Sequence, residues 1–161
     1  MSAAPTSPDG ILLVDKPQGI TSHTAVSRAR RALGTRKVGH AGTLDPMATG
    51  LLVCLVGTAT KEADHFQALT KGYEGTIKLG GRTASQDAET PVEDETPTGH
   101  LTEAAVRDAA ASFVGEIEQV PPMYSAVKVG GERLYKKARK GETVERQPRP
   151  VSIYFFDVDA Q

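Results

Sequence analysis

The chain has 161 residues, 39% apolar and 24% charged, a single domain's length with a balance that excludes collagenous, mucin-like and wholly disordered readings. A domain of this size buries roughly two-thirds of the surface its unfolded chain exposes, so one hydrophobic core is within reach. The formal net charge of −1 argues against a uniformly basic nucleic-acid binder, but the charges are segregated along the chain and the sum hides them.

Residues 1–9, rich in Ser, Ala and Pro, lack the basic-then-apolar order of a secretory signal and read as a flexible lead-in to a domain over 10–161. Ile11-Leu12-Leu13-Val14 reads as a buried strand closed by the Pro17 and Gly19 turn. Thr21 or Ser22 caps a helix whose Ala25, Val26, Ala29, Ala32 and Leu33 form one apolar stripe, with Gly34 as its stop and Arg28 and Arg31 facing outward. A glycine-rich stretch from Gly39 to Gly50 leads into a second buried strand, Leu51 to Val56, where Cys54 reads as a small hydrophobe without chemistry.

A helix from about Thr60 to Leu69 follows, then a strand from Tyr73 to Leu79 and a long polar loop carrying Asp87, Glu89, Glu93, Asp94 and Glu95. Thr102 caps an Ala-rich helix reaching Phe113, with Gly115 near its end. Tyr124 to Val129, Gly130-Gly131, a short basic helix near Leu134 to Arg139 and a strand from Val151 to Val158 complete the series. Strands and helices mix without strict alternation, which favours an α+β sheet over a doubly wound one.

No run of apolar residues approaches the roughly 20 needed to span a bilayer, and one cysteine excludes an internal disulfide; a cytoplasmic protein with no membrane contact is expected. His23, His40, His65 and His100 fall at no zinc-like spacing, and neither a phosphate loop nor a dinucleotide fingerprint occurs, so no metal and no cofactor is expected. Arg28, Arg30, Arg31, Arg36 and Lys37 form one basic run, and Arg133, Lys136, Lys137, Arg139 and Lys140 a second. Two basic patches opposed by one acidic stretch suit an oriented polyanion, with Arg30 and Arg31 as phosphate contacts; a solvated helix face fits the charges equally well.

The segment Gly39-His40-Ala41-Gly42-Thr43-Leu44-Asp45-Pro46-Met47-Ala48-Thr49-Gly50 carries the most chemistry. Its glycines let a ligand backbone approach closely, and Pro46 biases Asp45 toward an extended conformation on a stiffened loop. Read from the residues alone, Asp45-Pro46 is a held catalytic carboxylate or simply a turn.

This segment resembles the signature of the bacterial-type tRNA pseudouridine-55 synthase family. Further stretches resemble the same family in the same order: Gly10 to Pro17 with Gly19, Ala59-Thr60-Lys61, Lys71-Gly72-Tyr73, and Pro121 to Lys128 continuing through Leu134-Tyr135 to Gly141. The likeness runs from Gly10 to about Asp159. It implies a pseudouridine-synthase-type α+β fold, a mixed and largely antiparallel sheet with flanking helices, left incomplete at the C-terminus. Guide-dependent relatives share the Gly-Thr-Leu-Asp-Pro core, but Met47 to Gly50 and the block from Pro121 to Lys128 look bacterial.

The resemblance implies that Asp45 is the catalytic carboxylate and Tyr73 the active-site aromatic. It makes His40 the imidazole that meets the T loop of tRNA where the target base leaves it, and Lys16 and Lys61 basic positions near the site, where structural support and substrate contact fit equally well. Ala41 stands where family members commonly carry threonine or serine. Family members continue past the last strand to an arginine that pairs with the aspartate, to residues that wall the uracil, and usually to an RNA-binding domain. The chain is therefore expected to be the N-terminal portion of the catalytic domain, silent alone, with a missing C-terminal half of the enzyme as a partner. The alternatives are a non-catalytic tRNA-binding module or an inactive fragment.

Overall fold

The computed structural model describes residues 8–123, 128–133 and 143–159, which divide into two compact units, one up to Gly75 and one from Thr76 onward. In the first unit β1 (Gly10–Lys16) leads to helix α1 (Ser22–Leu33), β2 (Val38–His40) and β3 (Gly50–Val56). A 3-10 helix (Gly57–Glu62) and helix α2 (Ala63–Ala68) follow. The strands form an antiparallel sheet in the order β1-β3-β2, with Lys16 opposite Gly50 and His40 opposite Cys54. That register sends the nine-residue connection 41–49 out beside the end of β1.

Helix α1 forms where its sequence dictates. Thr21 is extended and its hydroxyl accepts from the Thr24 amide at 3.0 Å, while Gly34 closes the helix in the left-handed region at φ 62°. The apolar face of α1 (Ala25, Val26, Ala29) packs with Val38, Leu52, Cys54 and Val56, and Leu12, Val14, Ile20, Leu33 and Leu44 close the rim. Burial raises the Cys54 thiol pKa, which suits a packing role. Only one sheet face has this cover, so β1 and β3 are half-buried and Ile11, Leu13 and Leu51 are exposed. Ala32, expected in the stripe, is exposed as well.

The Asp9 carboxylate caps the 3-10 helix, accepting from the Thr58 amide and hydroxyl, each at 2.5 Å. The Thr58 hydroxyl is the main reason its pKa lies below the ordinary 3.8, with the Thr58 and Ala59 amides adding to it. A carboxylate lowered on folding stabilises the fold above its unfolded pKa, and that contribution fades as pH falls through the lowered folded value. Asp9→Ala should therefore melt below the parent at pH 6. The gap should close progressively below pH 4 in a pH series of thermal melts; a pH-independent gap would contradict the cap.

The second unit holds β4 (Gly81–Thr83) paired with β5 (Val92–Glu95), helix α3 (Glu103–Ala111), β6 (Gly115–Gln119), β7 (Lys128–Val129) paired with β8 (Glu132–Arg133), and β9 (Arg149–Ile153) paired with β6. Every pairing is antiparallel, so the architecture is α+β as expected. Thr102 caps α3 by accepting from the Ala105 amide, and Gly130-Gly131, both at positive φ, join β7 to β8 as a two-residue hairpin turn.

Further expectations are corrected. The helix expected from about Thr60 to Leu69 is a 3-10 helix followed by the six-residue α2. Tyr73 to Leu79 is not a strand: its β-formers find no partner among the described residues, and strand propensity is realised only through pairing and burial. Glu93, Asp94 and Glu95 lie on β5 rather than in a loop. The last strand spans Arg149–Ile153, because its pairing ends where Ile153 meets Gly115, the first residue of β6. Tyr124 to Val127 and the basic helix near Leu134 to Arg139, with Lys136, Lys137 and Lys140, lie outside the described residues. Among the described residues no helix is long and apolar enough to cross a membrane.

Candidate active site

The loop carrying Asp45 is fixed through its backbone on both sides of that residue. On the N-terminal side the Ser22 hydroxyl donates to the Leu44 carbonyl at 3.0 Å and accepts from the Leu44 amide at 2.9 Å, while the Leu44 side chain packs against the core. On the C-terminal side the Gly19 amide donates to the Pro46 carbonyl at 2.8 Å. The Ala48 amide donates to the Asp45 carbonyl at 3.0 Å, which closes a turn over Pro46-Met47. The Asp45 side chain is exposed and makes no hydrogen bond among the described residues. A carboxylate on so constrained a backbone keeps only its own side-chain torsions free, which suits a group that meets a ligand.

Lys16 is fully buried, at 0% exposure, at the end of β1. Its ammonium donates to the carbonyls of Ile20 (2.8 Å), Pro17 (3.1 Å) and Pro46 (3.5 Å). It ties the Pro17 turn to the 41–49 loop, and with its three protons on three carbonyls it keeps no donor for solvent. His40, at the end of β2, places Nδ1 against the Gly42 carbonyl. A carbonyl can only accept, so the ring meets Gly42 as a donor at the start of the loop.

The remaining expected site residues stand apart in their bonding. Tyr73 lies in the extended segment after α2 with 80% of its surface exposed, and Lys61 is exposed in the last turn of the 3-10 helix. Arg31 is exposed on the last turn of α1, whereas Arg30 donates from Nε (3.2 Å) and Nη2 (2.7 Å) to the Val38 carbonyl and braces α1 against β2. None of these four is hydrogen-bonded to the 41–49 loop among the described residues. A groove of about 320 Å³ between β1 and α1, lined by Leu12, Val14, Ile20, Ala25 and Ala29 with Asp15 and Arg28 at its edge, includes no residue of that loop. Among the described residues, no three His, Cys, Asp or Glu side chains cluster in a way that would hold a metal.

Sequence alone presents Ser22 as a helix-cap candidate, yet its hydroxyl reaches 22 residues along the chain to Leu44. The Thr21-Ser22 pair offers two hydroxyls for one cap, and nothing local says where the second one goes.

Residues 30–160 match the family model described as "TruB family pseudouridylate synthase (N terminal domain)". The chain is 53% identical over 150 residues to tRNA pseudouridine synthase B of Opitutus terrae, covering 93% of this chain and 62% of that protein. It is 52% identical to the protein of the same name from Thermobifida fusca, covering 93% and 51%, and 54% identical to that of Mycobacterium sp. strain KMS, covering 92% and 50%. The chain thus spans about half the length of the curated relatives it matches. In fold it is similar to a chain in the crystal structure of a Cbf5-Nop10-Gar1 complex, with a TM-score of 0.55 at 24% identity, covering 93% of this chain and 36% of that one. With a family match across residues 30–160 and more than half of its aligned residues identical to those relatives, this chain belongs to the TruB family of pseudouridylate synthases, to whose N-terminal domain it corresponds.

Proposed function

We propose that this chain carries the catalytic carboxylate of a tRNA pseudouridine synthase acting on uridine 55 of the T loop. The observation that carries the reading is the backbone fixation of Leu44 and Pro46 around an exposed, unbonded Asp45. Relatives more than half identical over most of this chain bear the name tRNA pseudouridine synthase B. The reaction breaks the bond from ribose C1′ to uracil N1, turns the base and joins C1′ to C5; the C5 proton is lost, N1 gains one, and no electrons enter or leave. A carboxylate near C1′ serves as nucleophile, as electrostatic partner of a developing oxocarbenium, or as acceptor of a ribose proton.

Tyr73 is proposed to stack on the extruded uracil and to relay the C5 proton, and His40 to meet the T loop where the target base leaves it. Both would act on a nucleotide flipped from a loop, where unstacking costs a few kcal/mol. Arg31 and Lys61, exposed and unbonded among the described residues, present cations for the phosphate backbone. The exposure of Asp45 favours one second reading, a tRNA-binding module without turnover, since a carboxylate in water stabilises charge less than one in a closed pocket.

Chemical mapping of pseudouridine in an unmodified tRNA transcript, after incubation with the full-length protein carrying this sequence, separates the two. A new modification at position 55 is expected; tight binding without it would support the module. In the same preparation Arg31→Glu should weaken binding and lower the log–log salt slope by about one. Arg30→Ala should chiefly lower the melting temperature, because its guanidinium already serves the Val38 carbonyl.

A further inference from the structure

We infer that Ser22 is a positioning residue for Asp45; the inference rests on the reading of Asp45 as the catalytic carboxylate. Ser22 is the first residue of α1 and is 3% exposed. The helix does not need its hydroxyl, because Thr21 already receives the Thr24 amide. Ser22 Oγ instead uses its proton on the Leu44 carbonyl and a lone pair on the Leu44 amide, so both polar groups of the residue before Asp45 are satisfied by one atom.

Among the described residues Leu44 has no strand partner to do this. Without Ser22 both its backbone groups would lack a protein partner at the core rim, and the loop would have to turn to find water. The Leu44 side chain is held separately by the core. The expected consequence is a rotated Leu44-Asp45 peptide rather than an unfolded loop. Pro46 keeps its tie to Gly19 and its restriction on Asp45, so the rotation falls on the Asp45 side of Leu44. A carboxylate displaced by about 1 Å from its reacting carbon loses on the order of a hundredfold in rate, while contacts to the rest of the tRNA stay in place.

The test measures single-turnover conversion at saturating protein, and affinity by filter binding, on an unmodified tRNA transcript with the full-length protein. Ser22→Ala should lower the rate constant by about 10- to 100-fold with tRNA affinity within about threefold of the parent. Thr21→Ala removes the helix cap but leaves the Leu44 contacts, and should lower the melting temperature with the rate constant within about twofold. Ser22→Cys, which keeps a weak donor and acceptor of similar size, should fall between parent and Ser22→Ala, and it decides the matter if the alanine variant does not fold. A Ser22→Ala or Ser22→Cys rate equal to the parent's overturns the inference. So does a loss that Thr21→Ala reproduces at equal melting temperature. Asp45→Asn run alongside keeps the two ideas apart: an active Asp45→Asn defeats the reading of Asp45, whereas an inert Asp45→Asn beside a fully active Ser22→Ala defeats only the role of Ser22.

Discussion

Asp45→Asn should abolish pseudouridine formation, by at least about a thousandfold in the single-turnover rate constant, while tRNA affinity stays within a few-fold of the parent. Asparagine keeps the shape of aspartate and removes its charge, so it neither attacks C1′ nor balances an oxocarbenium there. The structure adds a reason to expect a clean result. The contacts that hold the loop on either side of Asp45 run through Leu44, Pro46 and the Asp45 carbonyl, and among the described residues none runs through the carboxylate. The substitution therefore leaves the loop's supports untouched, and an exposed side chain changed in this way alters stability by no more than about 0.5 kcal/mol. Mapping of pseudouridine in treated tRNA reads the rate and a thermal melt reads the fold. Turnover within a few-fold of the parent would remove Asp45 from the chemistry.

What the sequence disclosed and what it withheld divide along physical lines. Local signals held: Thr21 and Gly34 bound α1, Thr102 opens α3, and Cys54 is buried, each fixed by contacts within a few residues or by a strong apolar pattern. The α+β class and the family followed from ordered motifs. Readings that depended on distant partners fared worse. Tyr73 to Leu79 has the composition of a strand but no described neighbour to pair with, and the terminal strand took its bounds from β6. The same limit applies at the site. The sequence marks Asp45 because its loop is unusual, but nothing near Arg30 in sequence announces the Val38 carbonyl, and nothing near Ser22 announces Leu44. Residues that support a site through long-range hydrogen bonds look like ordinary surface cations and caps until the chain is folded.

Lys16 is the sharpest instance, and it leads to the second large effect. The family resemblance leaves open whether this cation touches substrate or supports the fold, and its complete burial among the carbonyls of Pro17, Ile20 and Pro46 favours support. In Lys16→Met the stem volume is nearly kept and the ammonium lost. The Pro46 carbonyl retains the Gly19 amide, but those of Pro17 and Ile20 lose the donor that now serves them. Two opposing effects decide the sign. Removing a buried charge relieves its desolvation, whereas each abandoned buried carbonyl costs about 1–3 kcal/mol. Pro17 is exposed, so its carbonyl turns to water, and the half-buried Ile20 carbonyl carries the loss, at about 1 kcal/mol net and a fall of on the order of 2–5 °C in melting temperature. Because the ammonium faces inward, the log–log salt slope of tRNA binding should not change. A lysine bound to phosphate would behave in the opposite way, its removal lowering the slope by about one and leaving the melting temperature alone. Thermal melts and a salt series on one variant therefore decide between the two roles, and the second pattern would return Lys16 to the substrate.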